Sequence, residues 1–198
     1  GPEIENLTQY PRQWPADYAL VLHSRDGRYF DVQQSVSPLK TLDGETMGAV
    51  MVLQDVTASR ELMKKLSYSA SHDALTGLPN RTRFEKQLKA AIVAGGEPSS
   101  PHSLVFLDLD RFKAVNDTAG HAAGDALLRD IAQLMRHQLR HSDCLARLGG
   151  DEFGLILYDC RLEQAKSLVQ QVVNQISQHP FYWEGKIYRV GASAGITR

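Results

Sequence analysis

Two kinds of hydrophobic periodicity divide the 198-residue chain. Up to about residue 56 the apolar positions tend to alternate with polar ones, whereas from residue 57 onward they recur every three or four residues over long stretches. The dipeptides Asp26-Gly27 and Asp43-Gly44 are hairpin turn signals between the first apolar runs. After a proline-containing loop over residues 1 to 16, the pattern predicts an antiparallel meander of three strands, over 18–22, 29–36 and 47–56.

Helical spacing predicts the elements that follow the meander. Thr57 is expected to cap a linker helix that continues to about residue 70. Asn80 is expected to cap a second helix, which ends at Gly95-Gly96. The apolar face predicted for that second helix consists of Phe84, Leu88 and Ile92.

Strands and helices alternate over the rest of the chain. In order, the pattern predicts a buried strand over 103–109, a polar loop to Gly120, a helix over 124–140, a hairpin over 144–157, a helix over 161–178 and a final strand over 187–196. Helices that cover a sheet containing antiparallel strands place the fold in the α/β (α+β) class.

The predicted hairpin has two acids at its tip. Gly149-Gly150 lies between its apolar runs, and glycine supplies the positive φ that a tight reversal needs. Asp151 and Glu152 follow directly, and because adjacent carboxylates repel each other, a cation or a functional need is required to explain both acids. The preceding strand also ends in an acid, Asp108. If the two strand ends are neighbours, Asp108 and Asp151 form a carboxylate pair suited to Mg²⁺.

The composition limits the class of protein. Hydrophobic residues make up 42% of the chain and charged residues 23%, which is typical of a folded domain with a core. A formal net charge of −1 argues against nucleic acid or anionic lipid as a partner, but it is compatible with a small phosphorylated substrate. The two cysteines, Cys144 and Cys160, fit no metal motif and indicate buried thiols in a reducing compartment. We therefore expect a cytoplasmic location, either free or anchored to the inner membrane through another part of a longer protein.

Four motifs follow one another in the second part of the chain. They are Asp73-x-Leu-Thr-Gly-Leu-x-Asn-Arg81, Asp108-x-Asp-x-Phe-Lys-x-x-Asn-Asp117, Gly120-His121-x-x-Gly-Asp125 and Gly149-Gly-Asp-Glu-Phe153. In this order, and on the elements predicted for them, they resemble the GGDEF domain of diguanylate cyclases over residues 73–198. The resemblance implies the nucleotide-cyclase-palm-like fold of that family.

The resemblance also implies a reaction. Two GTP molecules would be condensed into cyclic di-GMP with loss of two pyrophosphates, by two domains that face each other in a homodimer. Attack of a 3′-hydroxyl on an α-phosphorus requires removal of a proton and neutralisation of the phosphate charge. The metal ligands implied for Mg²⁺ or Mn²⁺ are Asp108, Asp151 and the carbonyl of Leu109. Asp151 would also lie near the attacking hydroxyl, and Glu152 would either bind a second metal ion or tune the charge of Asp151.

Three further residues match the nucleotide contacts of the family, namely Asn116, His121 and Asp125. A carboxylate at position 125 can accept hydrogen bonds from guanine N1–H and from the exocyclic amine, a donor pattern that adenine lacks, and the Asn116 amide can both donate and accept. An acceptor left unpaired by ATP would discriminate against it by a few kcal/mol, roughly. Lys113 is either a phosphate contact or a solvated lysine.

Arg140 and Asp143 stand at the offset from the hairpin at which the family binds its product. The resemblance implies an inhibitory site in which Arg140 stacks on cyclic di-GMP and forms a forked contact with it, while Asp143 accepts from guanine. A salt bridge that ends the preceding helix is the alternative interpretation of the same pair.

The first part of the chain resembles the last three strands of a PAS sensor domain, because Asp55-Val56-Thr57 leads from a strand into a charged helix. The predicted organisation is a partial PAS domain over 1–56, a signalling linker helix over 57–72 and a GGDEF domain over 73–198. Such a half-sheet has an apolar face and an open edge, so we expect it to self-associate or to be poorly ordered.

In the GGDEF family a helix with basic residues that hold the triphosphate, and then a closing strand, follow the strand matched by 187–196. We therefore expect the chain ending at Arg198 to have little or no cyclase activity by itself.

Three functions are compatible with these observations. The first is a diguanylate cyclase regulated by its sensor through the linker helix, which the intact acidic tip and guanine contacts favour. The second is a catalytically silent GTP- or cyclic di-GMP-binding domain that controls a downstream phosphodiesterase domain, and the third is a dimerisation fragment of the sensor.

Overall fold

The computed structural model describes residues 20–94 and 101–198. The chain contains two compact units, one that ends at Ser67 and one from Tyr68 to Arg198. Three predictions lie outside the described residues: the loop over residues 1 to 16, the start of the first strand, and the helix end at Gly95-Gly96. None of the helices over the described ranges combines the length and the apolar character needed to cross a bilayer.

The first unit contains the predicted meander. Its strands are β1 (Leu20–His23), β2 (Tyr29–Lys40) and β3 (Thr46–Asp55), which pair antiparallel in the order β1-β2-β3. Gly27 and Gly44 have φ of 82° and 86° in the two turns, as the hairpin signals predict. β2 is longer than predicted because it continues to pair with β3 as far as Lys40. The three-strand prediction is confirmed.

β3 exposes apolar side chains on both of its faces. It lies at an edge of the three-stranded sheet. An apolar edge strand can pair with another chain, so self-association of this unit stays a prediction. The exposed side chains are Met47, Val50, Met51, Val52 and Leu53, each between 43% and 76% accessible.

Helix α1 (Thr57–Ser71) follows β3, as the helical spacing predicts. The prediction that Thr57 caps this helix is wrong, because Thr57 is its first helical residue and Val56 accepts the first helical hydrogen bond, from Arg60. The carboxylate of Asp55 accepts from the Thr57 amide at 2.9 Å and from its hydroxyl at 2.7 Å. The Thr57 hydroxyl in turn accepts from the Asp31 amide. The acid two residues upstream therefore satisfies the first helical amide.

The second unit is built on a four-stranded antiparallel sheet of order β5-β6-β4-β9. This confirms the mixed α/β class. Its elements in chain order are α2 (Arg81–Ala94), β4 (Ser103–Asp110), α3 (Phe112–Ala119), α4 (His121–Gln138), β5 (Cys144–Gly149), β6 (Glu152–Leu157), α5 (Leu162–Gln178), β7 (Phe181–Trp183), β8 (Lys186–Tyr188) and β9 (Gly191–Thr197).

Strand β4 separates two layers of core. Val105, Leu107 and Leu109 are at most 2% exposed and belong to the larger cluster, which includes the apolar faces of α4 and α5. The opposite face of the sheet contacts α2, where the ring of Phe84 lies against that of Phe106. Because side chains alternate along a strand, Asp108 lies on the same face as Phe106, beyond the part that α2 covers.

Helix α2 begins as predicted, because the side chain of Asn80 accepts from the Arg83 amide at 3.0 Å. Its predicted apolar face is wrong at Ile92, which is 68% exposed, while Ala91 is buried. The face that packs on the sheet is therefore Phe84, Ala91 and the partly buried Leu88, and Ile92 lies outside it.

Two other element predictions are wrong. The polar loop predicted before Gly120 is helix α3, because Phe112 and Val115 are apolar at helical spacing and both are buried. The single strand predicted over 187–196 is two strands, since β7 and β8 form a separate hairpin around Glu184-Gly185 and only β9 joins the main sheet.

Both cysteines are buried free thiols, as predicted. Burial raises the pKa of Cys144 to about 11. At about pH 8 the folded chain should therefore react with a thiol reagent at Cys144 roughly a hundredfold more slowly than the urea-unfolded chain does. Labelling followed by peptide mass spectrometry would measure both rates, with Cys160→Ser as the variant that isolates Cys144. Equal rates in the two states would contradict the burial of this thiol.

Candidate functional site

The acid-tipped hairpin has the predicted form. β5 and β6 pair antiparallel, with a register shift between Arg147 and Gly149. Gly149 and Gly150 have φ of 146° and 54°, which side-chain-bearing residues rarely adopt, so the glycines allow the reversal. Asp151 lies in the turn and Glu152 is the first residue of β6. The hairpin thus presents both carboxylates at one end of the sheet.

The acidic end of β4 lies beside this tip. Asp108 is the cross-strand partner of Glu152, and the Leu109 amide donates to the carbonyl of Asp151 at 3.3 Å. Partial burial raises the pKa of Asp108, and the negative charges of Asp151, Glu152 and Asp110 raise it further. The two strand ends are therefore neighbours, and their carboxylates repel one another.

The donor set at this edge suits a hard divalent cation. Carboxylate and carbonyl oxygens are the ligands that Mg²⁺ prefers, and a cation would offset the repulsion that raises the pKa of Asp108. In an antiparallel ladder the amide and the carbonyl of one residue face the same neighbour, so the Leu109 carbonyl faces the Asp151 strand end. Over residues 20–94 and 101–198, no three acid, histidine or cysteine side chains are grouped to hold an ion by themselves. An ion here would need further oxygens, and substrate phosphates commonly supply them to Mg²⁺.

An open groove of about 480 Å³ adjoins the carboxylates. It lies between the first residue of α2 and strand β9. Its lining contains both positively and negatively charged side chains, so it can contact groups of either charge on a bound molecule. The polar side chains that line it are Arg81, Asp108, Glu152 and Ser193.

Arg81 is a residue of this site to which the sequence pattern assigned no role. Its Nη2 donates to Glu152 Oε2 at 3.3 Å and its Nε donates to the Leu148 carbonyl at 3.1 Å. Both Arg81 and Glu152 remain more than half exposed, so the pair contributes little to stability. Its effect is to hold the Glu152 carboxylate toward α2. The position of Arg81, directly after a helix cap, gave no sign of this contact.

A second arginine, Arg147, stabilises the turn through hydrogen bonds. Arg147 donates to the carbonyl of Gly150 at 2.8 and 3.0 Å and to both carboxylate oxygens of Asp73 at 3.1 Å. Asp73 also accepts from the amide and hydroxyl of Thr76. Arg147 thus connects the segment before α2 to the acidic tip. No sequence signal indicated this contact, because the two residues lie 74 positions apart in the chain.

Replacing Asp73 with asparagine should make stability less dependent on pH. Burial raises the pKa of Asp73, but hydrogen bonds from Thr76 and Arg147 outweigh it and hold the pKa below its usual value. A lowered carboxyl pKa stabilises the fold above the unfolded-state value of about 4, and the contribution is lost as the pH falls through the folded value. We expect Asp73→Asn to cost about 1–2 kcal/mol near pH 7 and progressively less as the pH falls below about 4, measured by urea unfolding.

Asp117→Asn is the matched control, because Asp117 is an exposed acid on α3. Its unfolding free energy should follow that of the wild type across the pH range. A constant difference between Asp73→Asn and the wild type from pH 7 to 3 would show that the Asp73 charge contributes nothing.

The predicted base contacts lie on α3 and α4, outside the lining of the groove. Asn116 is half-buried, and its amide lies so close above Gly124 that a Cβ at that position would collide with it. The contact explains why position 124 is a glycine. It also places the Asn116 amide beside the residue that precedes Asp125. His121 and Asp125 are exposed in the first turns of α4, and Lys113 is exposed on α3.

Arg140 and Asp143 form a closed turn after α4. One carboxylate oxygen of Asp143 accepts from the Arg140 amide at 3.1 Å and the other from the Tyr158 amide at 3.3 Å. The Asp143 amide donates back to the Arg140 carbonyl at 3.0 Å. Backbone groups therefore hold the Asp143 carboxylate, rather than the salt bridge that was the alternative interpretation of this pair. Both residues line a cleft of about 530 Å³.

Three similarities to known proteins agree with this geometry. The family model described as "Diguanylate cyclase, GGDEF domain" matches residues 70–198. The probable diguanylate cyclase DgcE of Escherichia coli (strain K12) is 54% identical over 198 residues, which is 100% of this chain and 18% of that protein. The cyclic di-GMP phosphodiesterase PdeB of Shewanella oneidensis is 34% identical over 165 residues, or 83% of this chain and 19% of that protein.

Solved structures include a similar fold. The coiled coil and GGDEF domain of DgcB from Caulobacter crescentus, in complex with c-di-GMP, superposes with a TM-score of 0.66 at 26% identity, over 71% of this chain and 75% of that one. The chain spans about a fifth of the length of the curated relatives named above.

Proposed function

The chain belongs to the GGDEF family of diguanylate cyclase domains, and we propose from this that it is a module that condenses two GTP molecules into cyclic di-GMP and two pyrophosphates. The observation that carries the proposal is the acidic tip of β5 and β6 beside the acidic end of β4, where partial burial, together with repulsion by the neighbouring carboxylates, raises the pKa of Asp108. Structural needs do not account for this group of acids, because each of them lowers stability by repelling the others.

The proposed roles at this edge follow from charge and position. Asp108, Asp151 and the Leu109 carbonyl would hold Mg²⁺ or Mn²⁺, which when bound would neutralise phosphate charge and lower the pKa of a coordinated hydroxyl. Asp151 would orient the 3′-hydroxyl and accept its hydrogen bond. Glu152 would add negative charge beside Asp151, and the contact from Arg81 would limit where that carboxylate can point.

Guanine selectivity is proposed for the α3–α4 connection. Asp125 would accept from guanine N1–H and the exocyclic amine, and Asn116, held against Gly124, would both donate and accept. His121 would contact the nucleotide from the start of α4, and Lys113 would contact a phosphate. Each domain would hold one GTP, so the reaction requires a homodimer in which two such sites face each other.

The test is conversion of GTP by the 198-residue chain and by a longer chain that contains it. Pyrophosphate release and mass-spectrometric detection of cyclic di-GMP should both require Mg²⁺ or Mn²⁺ and should be far weaker with ATP. The weak turnover expected for residues 1–198 alone stays a prediction, and comparison of the two chains would measure it. Absence of cyclic di-GMP from the longer chain, with GTP bound, would reject the cyclase proposal.

An inhibitory product site is proposed at Arg140 and Asp143. Support comes from the fixed Asp143 carboxylate, whose backbone contacts leave its outer lone pairs able to accept from guanine. The Arg140 guanidinium lines the adjoining cleft and would bind a phosphate through two parallel hydrogen bonds. Asp143→Asn and Arg140→Ala should each weaken binding of cyclic di-GMP in calorimetric titrations.

The second candidate function is a catalytically silent domain that binds GTP or cyclic di-GMP and regulates a downstream phosphodiesterase domain. The observation in its favour is the similarity to a relative named as a cyclic di-GMP phosphodiesterase. Nucleotide binding without turnover, in a chain whose phosphodiesterase activity changes with GTP, would favour this alternative over the cyclase.

For the remaining residues we propose a sensor role. The boundaries proposed are a partial PAS domain over 1–56, a linker helix over 57–72 and the GGDEF domain over 73–198. The β1–β3 meander and the helix that follows it support this organisation. A dimerisation role would appear in sedimentation as association that depends on concentration and is insensitive to GTP and cyclic di-GMP. The substitution Met51→Lys in β3 should reduce this association.

A further inference from the structure

The cleft beside Arg140 is strongly cationic. It lies between α2, the end of α4 and the loop that leads into β5, with a volume of about 530 Å³. Three of its side chains are guanidinium groups, from Arg83, Arg136 and Arg140. Its one carboxylate, that of Asp143, already accepts from two backbone amides. The charge of the lining therefore favours an anionic ligand.

The volume of the cleft and its apolar side chains indicate which class of anion it can bind. The volume lies within the range of about 300–1,000 Å³ that is typical of sites for small organic ligands. Pro79, Leu139 and the largely buried Leu145 add apolar atoms to the lining, against which a base can pack. Phosphate for the arginines and a base for the apolar surface together indicate a nucleotide.

Arg83 has a second partner outside the cleft. Its Nη1 lies 2.7 Å from Nε2 of His72. A guanidinium can only donate, so His72 must accept at Nε2 and carry its proton at Nδ1, which lies 3.1 Å from the Tyr68 carbonyl. The His72 ring also stacks on the Tyr68 ring, with 3.9 Å between centroids and 7° between planes. Arg83 is thus held by the last turn of α1 and the residue after it.

We propose that Arg83 is a movable cation of the product site: it binds His72 when the cleft is empty and a phosphate of cyclic di-GMP when the cleft is filled. The proposal rests on the product site proposed above and extends it to the α2 side of Arg140, with Arg136 as a further phosphate contact. A single hydrogen bond to an uncharged imidazole is exchanged for a forked bond to a phosphate anion, in which both partners are charged, and this is the stronger of the two.

The exchange couples the product site to the end of the linker helix. In the proposed exchange the forked contact to phosphate turns the guanidinium away from His72, so product binding weakens the attachment of His72, and a stronger Arg83–His72 bond weakens product binding by the same factor. Product binding should therefore loosen the Tyr68–His72 segment without any direct contact to it.

The experiment is calorimetric titration of cyclic di-GMP into the 198-residue chain and its variants. Arg83→Gln should weaken binding about tenfold, because one charged phosphate contact is lost. His72→Phe should tighten binding about threefold to tenfold, because the aromatic stack on Tyr68 is retained while the competing acceptor is removed. In the double variant His72→Phe should add nothing, since Arg83 is absent.

Arg129→Gln is the matched control, because Arg129 is an exposed arginine on α4 outside the cleft and its loss should leave the affinity unchanged. Hydrogen exchange gives an independent readout. Amides of residues 68–72 should exchange faster when cyclic di-GMP is bound to the wild type and should not respond in Arg83→Gln.

The two proposals fail differently. If Arg140→Ala and Asp143→Asn abolish binding while Arg83→Gln matches the Arg129→Gln control, the product site stands and the role of Arg83 is rejected. If His72→Phe weakens binding or leaves it unchanged, the exchange is rejected. If the wild type does not bind cyclic di-GMP, the product site is rejected. Titration with inorganic pyrophosphate then tests whether the cleft binds an anion through Arg83. Binding that requires Arg83 and tightens in His72→Phe then supports the movable cation, and any other result overturns it.

Discussion

Replacing Asp151 with asparagine should reduce the conversion of GTP into cyclic di-GMP by roughly a thousandfold or more, because one side chain is proposed both to hold the metal ion and to orient the attacking hydroxyl. Asparagine keeps the size of the side chain and removes only its charge. The loss should appear as a fall in kcat, since the guanine contacts proposed for α3 and α4 do not involve this residue. The measurement is the initial rate of pyrophosphate release, with cyclic di-GMP quantified in the same samples.

A stability measurement separates this loss from misfolding. Without divalent ions, Asp151→Asn should be at least as stable as the wild type, because the repulsion of Asp108 by Asp151 is removed. Mg²⁺ together with GTP should raise the thermal midpoint of the wild type but not that of the variant. Glu85→Gln, which removes an exposed charge from α2, is the control and should keep both activity and metal response. Full activity in Asp151→Asn would overturn the assignment of Asp151.

Replacing Phe153 with alanine should produce the largest loss of stability, about 3–5 kcal/mol. Phe153 is 0% exposed, and it stands in β6 between Leu107 of β4 and Arg147 of β5. Its removal leaves a cavity under the acidic tip that rigid strands cannot close. Since a domain of this size has a total stability of about 5–15 kcal/mol, urea unfolding should shift to much lower concentrations.

Tyr182→Ala serves as the comparison for this change. Tyr182 is also an aromatic residue in a strand, but it is 68% exposed on β7. We expect its loss to alter the unfolding free energy by less than about 1 kcal/mol. Similar losses in the two variants would show that Phe153 does not contribute more to the core than a surface ring does.

Local sequence signals determined most of the elements and the centre of the candidate site. The Gly149-Gly150 turn, the acids that follow it and the strand that ends at Asp108 were all readable, because glycine conformation and strand alternation depend on near neighbours. The same reasoning holds for the cap at Asn80 and the buried stripes of α4 and α5. The motifs also indicated the family, which the match over residues 70–198 supports.

Errors arose where a local signal had more than one solution. Ile92 and Ala91 both fit an apolar helix face, and only the sheet underneath decides which of the two can pack. Residues 112–119 are polar enough for a loop, yet burial of Phe112 and Val115 stabilises a helix there. The run over 187–196 has strand propensity throughout, but its first part pairs with β7 instead of β4.

By itself, the sequence determined the order of strands and helices, the two acidic strand ends and the family, because each is encoded within a short stretch of chain. Only the tertiary structure decided which side chains meet: Arg147 with Asp73, Arg81 with Glu152 and Arg83 with His72. These pairs join segments that are 11 to 74 residues apart. A long flexible cation can reach many acceptors, and no local pattern specifies which acceptor the fold brings within hydrogen-bonding distance.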